Sequence, residues 1–186
     1  MKIKNIFLHF KKICVHKYYV CKYCWKVELY WQGLTHDLSK FSPVEFWEGV
    51  KYYQGNSSPV EACAKENGYS KAWLHHKGRN KHHFEYWQTD FDYGGRALLM
   101  PFKDSLEMLC DYIAAGRAYM GKNFDYIEEF NWWVKKNIPT LKMHKVNKEF
   151  INATLSELIW DDEKEVLNKT HLLKLYNNLV NMFGQE

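Results

Sequence analysis

A chain of 186 residues is long enough to bury a substantial core as one domain, and its 46% hydrophobic and 17% aromatic content exclude intrinsic disorder. The net charge of +4 is too mild to mark the whole chain as a nucleic-acid binder. It is uneven, however: residues 1–26 hold seven lysines and no acidic residue, a composition that can contact phosphates or an anionic membrane surface. No run approaches the roughly 18 uninterrupted apolar residues of a membrane span. Ile6-Phe7-Leu8 is broken at once by His9 and Lys11-Lys12, so no signal-peptide core develops. A cytoplasmic protein with five reduced cysteines is expected. Cys14, Cys21 and Cys24 recur at helical spacing, and Cys21-Lys22-Tyr23-Cys24 lacks a second CxxC, which predicts buried apolar thiols.

Taken in order, apolar positions at Ile6, Phe10, Ile13, Val20, Cys24 and Val27 predict a first helix from 3 to about 31, with Gly33 as its stop. Ser42-Pro43-Val44-Glu45 and Ser58-Pro59-Val60-Glu61 then read as two matching helix starts, each with Ser at the cap and Glu at the third position. Gln54-Gly55-Asn56-Ser57 is the turn between them, and Asn67-Gly68 ends the second. Ser70 opens a helix carrying Trp73, Leu74, His75 and His76. The stretch 88–100, with Asp90, Asp92, Gly94 and Gly95, has no period and reads as a loop. Asp104-Ser105-Leu106-Glu107 resembles a third capping box, opening a helix through Asp111 that ends near Gly121. Helices fit 126–136, 148–159 and 163–182. No strand alternation or repeat occurs, so the expected class is all-α, a single-domain helical bundle over 1–186.

The chemistry lies in the histidines. Six of the nine fall between 16 and 83: His16, the adjacent pair His36-Asp37, and the pairs His75-His76 and His82-His83. Asp111 follows on a later helix. A His-Asp pair offers an imidazole nitrogen and a carboxylate oxygen to one cation, and the carboxylate can bridge to a second. Together these donors suit Zn, Fe, Mn and similar ions. Cations near this cluster are Lys40, Lys77, Arg79, Lys81 and Arg117, with Arg79 the first choice for phosphate because its planar fork binds bidentately. Glu85 or Asp92 can orient imidazoles from behind. Tyr86 can stack a nucleobase, whereas Trp87 is better read as core.

The order His16, His36-Asp37, His75-His76, His82-His83, Asp111 on successive helices resembles the HD-domain superfamily of metal-dependent phosphohydrolases, and His36-Asp37-Leu38-Ser39-Lys40 is close to a common version of its signature. The resemblance covers about 10–120, with helices at about 123–183 beyond it. It implies one divalent ion on His16, His36, Asp37 and Asp111, and a second shared through Asp37 with one histidine of each pair. Mn, Zn, Fe, Co and Mg are the candidate metals. Asp37, Lys40 and Arg79 are the implied catalytic residues. The segment after His75-His76 reads Lys-Gly-Arg-Asn, without the Glu and Gly-Tyr-Pro of the cyclic-dinucleotide phosphodiesterase branch. The run from Ala72 to Trp87 is also similar to that of a small family of bacterial and phage-borne proteins. The resulting expectation is hydrolysis of a small phosphorylated substrate such as a nucleotide. The alternatives are a di-iron oxygenase of the same superfamily and a non-catalytic protein binding nucleotide or nucleic acid.

Overall fold

The computed structural model describes residues 3–89, 92, 94–137 and 142–184. Among them there are helices and no β-strand; a lone antiparallel bridge joins Gln88 and Ala97. The all-α class holds.

The first helix, α1 (Ile3–Lys26), buries His9, Ile13, His16, Val20, Tyr23 and Cys24 at spacings of three and four. It stops earlier than the apolar period predicts, because Glu28 adopts a left-handed φ of +59° that turns the chain. The next helix, α2 (Tyr30–Thr35), runs through Gly33, which is therefore not a stop. A Cβ on Gly33 would lie 2.9 Å from Cys24 Cβ, so the glycine sets how closely α2 approaches α1. Of the three thiols expected to be buried, Cys24 is, whereas Cys21 is only half-buried and Cys14 is exposed; Cys63 and Cys110 are buried, and all five are free.

A 3-10 turn, Leu38–Phe41, leads into α3 (Pro43–Lys51), followed by α4 (Pro59–Asn67) and α5 (Lys71–Lys77). Ser42 caps α3, its Oγ accepting from Glu45 N, and Ser70 caps α5 by accepting from Trp73 N at 3.0 Å. Ser58 makes no such bond, and Pro59 alone marks the start of α4. The helix α6 (Phe102–Met120) begins before the expected capping box. Pro101 precedes it, and Ser105 Oγ donates to the carbonyls of Met100 and Pro101. Beyond it lie α7 (Tyr126–Asn137), α8 (Lys145–Trp160), α9 (Glu163–Val166) and α10 (Lys169–Phe183). The expected final helix over 163–182 is split in two, with Asn168 capping α10 through Thr170 N and His171 N. Asp90 lies outside the described residues.

The central pair is α1 and α6, whose contacts Lys12–Ala118 and His16–Asp111 show that they run in opposite directions. On one side α7, α8 and α10 close the apolar core around Val20, Leu106, Leu109, Ile113, Trp133, Phe150, Ile151, Leu155 and Leu172. Each such side chain contributes about 1.5–3 kcal/mol by leaving water. On the other side, α2 and α3 pack on α1, α4 and α5 pack on α3, and the titratable residues collect there.

Candidate metal centre

His16 occupies the buried stripe of α1 between Ile13 and Val20. His36 and Asp37 follow α2, where Asp37 takes φ +54°. Left-handed backbone costs a non-glycine residue about 1–2 kcal/mol, least for Asp and Asn. Here it aims two consecutive side chains at one point. His76 comes from α5, His82 and His83 from the turn after it, and Asp111 from α6. All seven residues are buried.

They form two donor groups joined at Asp37. His16, His36, Asp37 and Asp111 make the first; Asp37, His76, His82 and His83 make the second, and within each group the donor atoms lie within 4.8 Å of one another. The two oxygens of Asp37 divide between them. Oδ2 faces His36 Nε2 at 3.2 Å and His16 Nε2 at 3.7 Å, while Oδ1 faces His76 Nε2 at 3.1 Å and His82 Nε2 at 3.4 Å. His16 Nε2 lies 3.0 Å from Asp111 Oδ1.

Close as they are, these atoms are not paired in hydrogen bonds. His16 Nε2, His36 Nε2, His82 Nε2, His83 Nε2 and both oxygens of Asp37 are buried and make no hydrogen bond of good geometry, although Asp37 Oδ2 forms an ion pair with Lys40. Unsatisfied buried polar atoms cost roughly 1–3 kcal/mol each and are rare. Six in one place, all of them metal-ligand types, fit a cation. Burial works against the charges of Asp37 and Asp111, but the surrounding imidazoles, and Lys40 beside Asp37, hold both carboxyls well below their usual range and so keep them ready to ligate. His76 is raised to about 9 despite burial, because Asp37 favours its charged form. A cation entering there displaces a proton.

Behind the donors stand two glutamates whose role the sequence did not disclose. His36 Nδ1 donates to Glu107 Oε1 at 2.9 Å, and His82 Nδ1 lies 3.3 Å from the same oxygen. His76 Nδ1 donates to Glu45 Oε2 at 2.8 Å. Each contact fixes the ring with its Nε2 lone pair toward the cluster. Glu107 is held at about 2 by these hydrogen bonds, against the effect of burial. A usable signal existed for one of them: Glu107 precedes Asp111 by four residues, one turn on the same helix face.

His75 is not among the donors. Its Nδ1 turns to Glu45 Oε1 at 2.7 Å, since consecutive helical residues point about 100° apart. His82 and His83, of which one was expected to ligate, both reach the second group. Lys40, half-buried, has its Nζ 2.5 Å from Asp37 Oδ2 and is held charged by Asp37 and Asp111. Arg79 is exposed and does not line the cavity described below, whereas Lys40 does and stands beside the donors. Arg117 is committed elsewhere: it donates to Tyr23 Oη at 2.9 Å and stacks on Phe124. Lys81 is exposed, and Asp92 is too. Trp87 packs against the core and donates to the Lys81 carbonyl, as a core residue should; Tyr86 is exposed.

A cavity of about 1100 Å³ opens onto the cluster, with His16, Lys40, His76, His83 and Asp111 in its wall. Trp73, Phe84, Tyr112, Tyr119 and Trp132 supply aromatic surface, and Glu85 and Glu129 add buried carboxyls. Glu129 is 4% exposed, and its Oε2 would stand 1.9 Å from a Cβ on Gly116; bare backbone on α6 makes the room it occupies. Burial, then the Asp111 charge, raises its carboxyl from 4.5 to about 8. At pH 4 it is protonated folded or unfolded and affects stability little. Between pH 4.5 and 8 only the unfolded chain ionises it, so stability is lost as pH rises, by up to about 1.4 kcal/mol per unit. Glu129→Gln is therefore expected to lose less stability than the native chain between pH 5 and pH 8 in urea unfolding. Equal losses would show that Glu129 ionises normally in the fold.

No curated protein and no solved structure matches the chain. A family model described as a family of unknown function, DUF5662, matches residues 5–157, a span that contains both donor groups and both orienting glutamates; the chain belongs to that family.

Proposed function

We propose that the protein is a metal-dependent phosphohydrolase of HD-domain type acting on a small phosphoester. The observation that carries this reading is the split carboxylate of Asp37, one oxygen toward each of two groups of buried imidazoles and carboxylates, in which the Nε2 atoms of His16, His36, His82 and His83 make no hydrogen bond. His16, His36, Asp37 and Asp111 would hold one divalent ion, and Asp37, His76, His82 and His83 a second. Such a pair supplies a nucleophile near neutral pH and positive charge for both the attacking and leaving oxygens of a phosphoryl transfer.

The chain's own residues do the rest. Lys40, in the cavity wall beside Asp37, binds a phosphoryl oxygen and offsets charge that builds there. Glu107 and Glu45 keep His36, His82 and His76 oriented as the substrate changes shape. Trp73, Tyr112 and Tyr119 exclude water from the organic part of the substrate. The cavity is large enough for a nucleotide-sized ligand.

The test is a panel of nucleotides and simple phosphoesters, assayed with the protein loaded in turn with Mn, Zn, Co, Mg or Fe. Phosphate release that chelation abolishes, and that Lys40→Ala lowers by roughly 10²-fold or more, is expected. Iron-dependent oxygen uptake with visible absorption and no phosphate release would replace hydrolysis by oxygenation at the same donors.

A further inference from the structure

α1 bears a second apolar stripe that faces solvent. Ile3, Phe7, Phe10, Cys14, Tyr18 and Trp25 are all exposed, Ile3 by 75% and Phe7 by 71%. At about 100° per residue they fall in an arc of roughly 80°, centred roughly 130° away from the buried stripe of His9, Ile13, His16 and Val20. The stripe runs for roughly 33 Å along the helix. It extends sideways, because Phe10 meets Phe41 with ring centroids 6.0 Å apart and Leu38 in the same 3-10 turn is exposed.

One flank of the stripe is basic. Lys4, Lys11 and Lys22 are exposed, and none has an ion-pair partner among the described residues. No acidic residue occurs in 1–26. The other lysines of the helix are occupied: Lys12 donates to the Ala118 carbonyl, Lys17 to the Leu34 and His36 carbonyls, and Lys26 pairs with Glu163. Those occupied lysines hold the fold, which leaves the three exposed ones for an outside partner.

We propose that this face of α1 docks on an anionic lipid surface, with the helix lying along the interface. Among the described residues no helix is long and apolar enough to cross a membrane, and the contact proposed is a peripheral one. Exposed phenyl, indole and aliphatic groups enter the boundary between headgroups and acyl chains while the lysines meet anionic headgroups. A second copy of the chain fits this face less well, since pairing two α1 helices would set lysine against lysine with no acid between. Duplex nucleic acid would use the lysines but leave Ile3, Phe7 and Leu38 with nothing to cover them. The cavity is lined by the opposite side of α1, at His9, Lys12, Ile13 and His16, so docking leaves it open. This inference does not depend on what the metal centre does.

The experiment is co-sedimentation of the full chain with phosphatidylcholine vesicles, with and without phosphatidylglycerol, at low (about 0.1 M) and high (about 0.5 M) NaCl. Binding is expected only with phosphatidylglycerol and to weaken with salt. Ile3→Ser with Phe7→Ser should weaken it at least about tenfold, since each buried apolar side chain contributes more than that factor when fully inserted. Lys4→Gln with Lys11→Gln should weaken it roughly 25-fold, about fivefold per lysine. These four side chains are exposed, and unchanged circular dichroism checks that each variant still folds. Absence of binding at low salt, or equal binding to neutral vesicles, overturns the proposal. A dimer that Phe7→Ser dissociates would assign the face to a second copy. Binding to duplex DNA that needs the lysines but not Phe7, without vesicle binding, would assign it to nucleic acid.

Discussion

Replacing Asp37 with alanine is expected to abolish metal binding altogether, while His83→Ala leaves one of two equivalents. The two variants differ because of where the residues stand. Asp37 belongs to both donor groups and His83 to the second alone. Removing a shared carboxylate strips each group of its negative bridge and leaves the five imidazoles His16, His36, His76, His82 and His83 facing one another around Asp111. Phosphate release, where measured, should fall by at least about 10³-fold, since the clamp on both reacting oxygens is lost. Alanine is also less tolerant than aspartate of the φ of +54° at this position, so some loss of stability will accompany the change. Asp37→Asn separates the two effects. It keeps the backbone preference and loses the charge, and should bind metal at least about 10²-fold more weakly, the upper loss when an orienting partner alone is removed. The readout is elemental analysis after reconstitution, with circular dichroism to check helicity. Full metal content in Asp37→Ala would refute the shared-carboxylate geometry.

Asn147→Ala is expected to cost roughly 2–4 kcal/mol of stability, far more than a polar-to-alanine change on a helix surface. Asn147 lies in the first turn of α8 and is fully buried. Its Oδ1 accepts from Met100 N at 3.0 Å, and its Nδ2 donates to Met100 O at 3.0 Å and to Ser105 Oγ at 2.7 Å. The amide thus closes both backbone groups of Met100 and pins the start of α6 to α8. Tyr176 Oη also reaches the Met100 carbonyl, so that acceptor survives the substitution, but the Met100 N–H is left buried and unpaired. A fall in Tm of roughly 4–16 °C follows for a chain of this length. A change below about 1 kcal/mol in urea unfolding would mean that water or a backbone shift satisfies Met100. The effect reaches the site indirectly, because α6 carries Glu107 and Asp111.

The helical class was readable because the apolar residues keep a 3.6-residue period, which local sequence sets and tertiary contacts rarely erase. Where the boundaries differ, a specific contact overrode the local signal. Gly33 reads as a helix stop in isolation, but it is needed inside α2 because Cys24 lies where its side chain would be. Asp104 to Glu107 has the form of a capping box, yet α6 already starts after Pro101, and Glu107 is drawn instead to His36 and His82. Asn168 looks like an interior position of one long helix, whereas its side chain satisfies the first free N–H groups of α10.

At the site, the histidines stood out because their order along the chain is unusual. What the sequence could not supply was direction. His75 and His76 are chemically identical neighbours that both bond Glu45, and only the placement of Asp37 beside His76 Nε2 decides which ring faces the cluster. Arg79 carries the better chemistry for phosphate, but it follows Gly78 at the end of α5 and projects into solvent. Lys40, three residues after Asp37 in a tight 3-10 turn, is held at the cluster by that turn.

The central claim is that six buried donor atoms, the two oxygens of Asp37 and four imidazole nitrogens around them, none of them in a hydrogen bond, are a metal site. The most direct test is the metal content of the full chain, purified without an affinity tag or added metal and again after reconstitution with Mn, Zn, Co or Fe. The account requires a divalent ion in the native chain that approaches two equivalents on reconstitution. A chain that remains metal-free after reconstitution at neutral pH, while folded by circular dichroism, would contradict it.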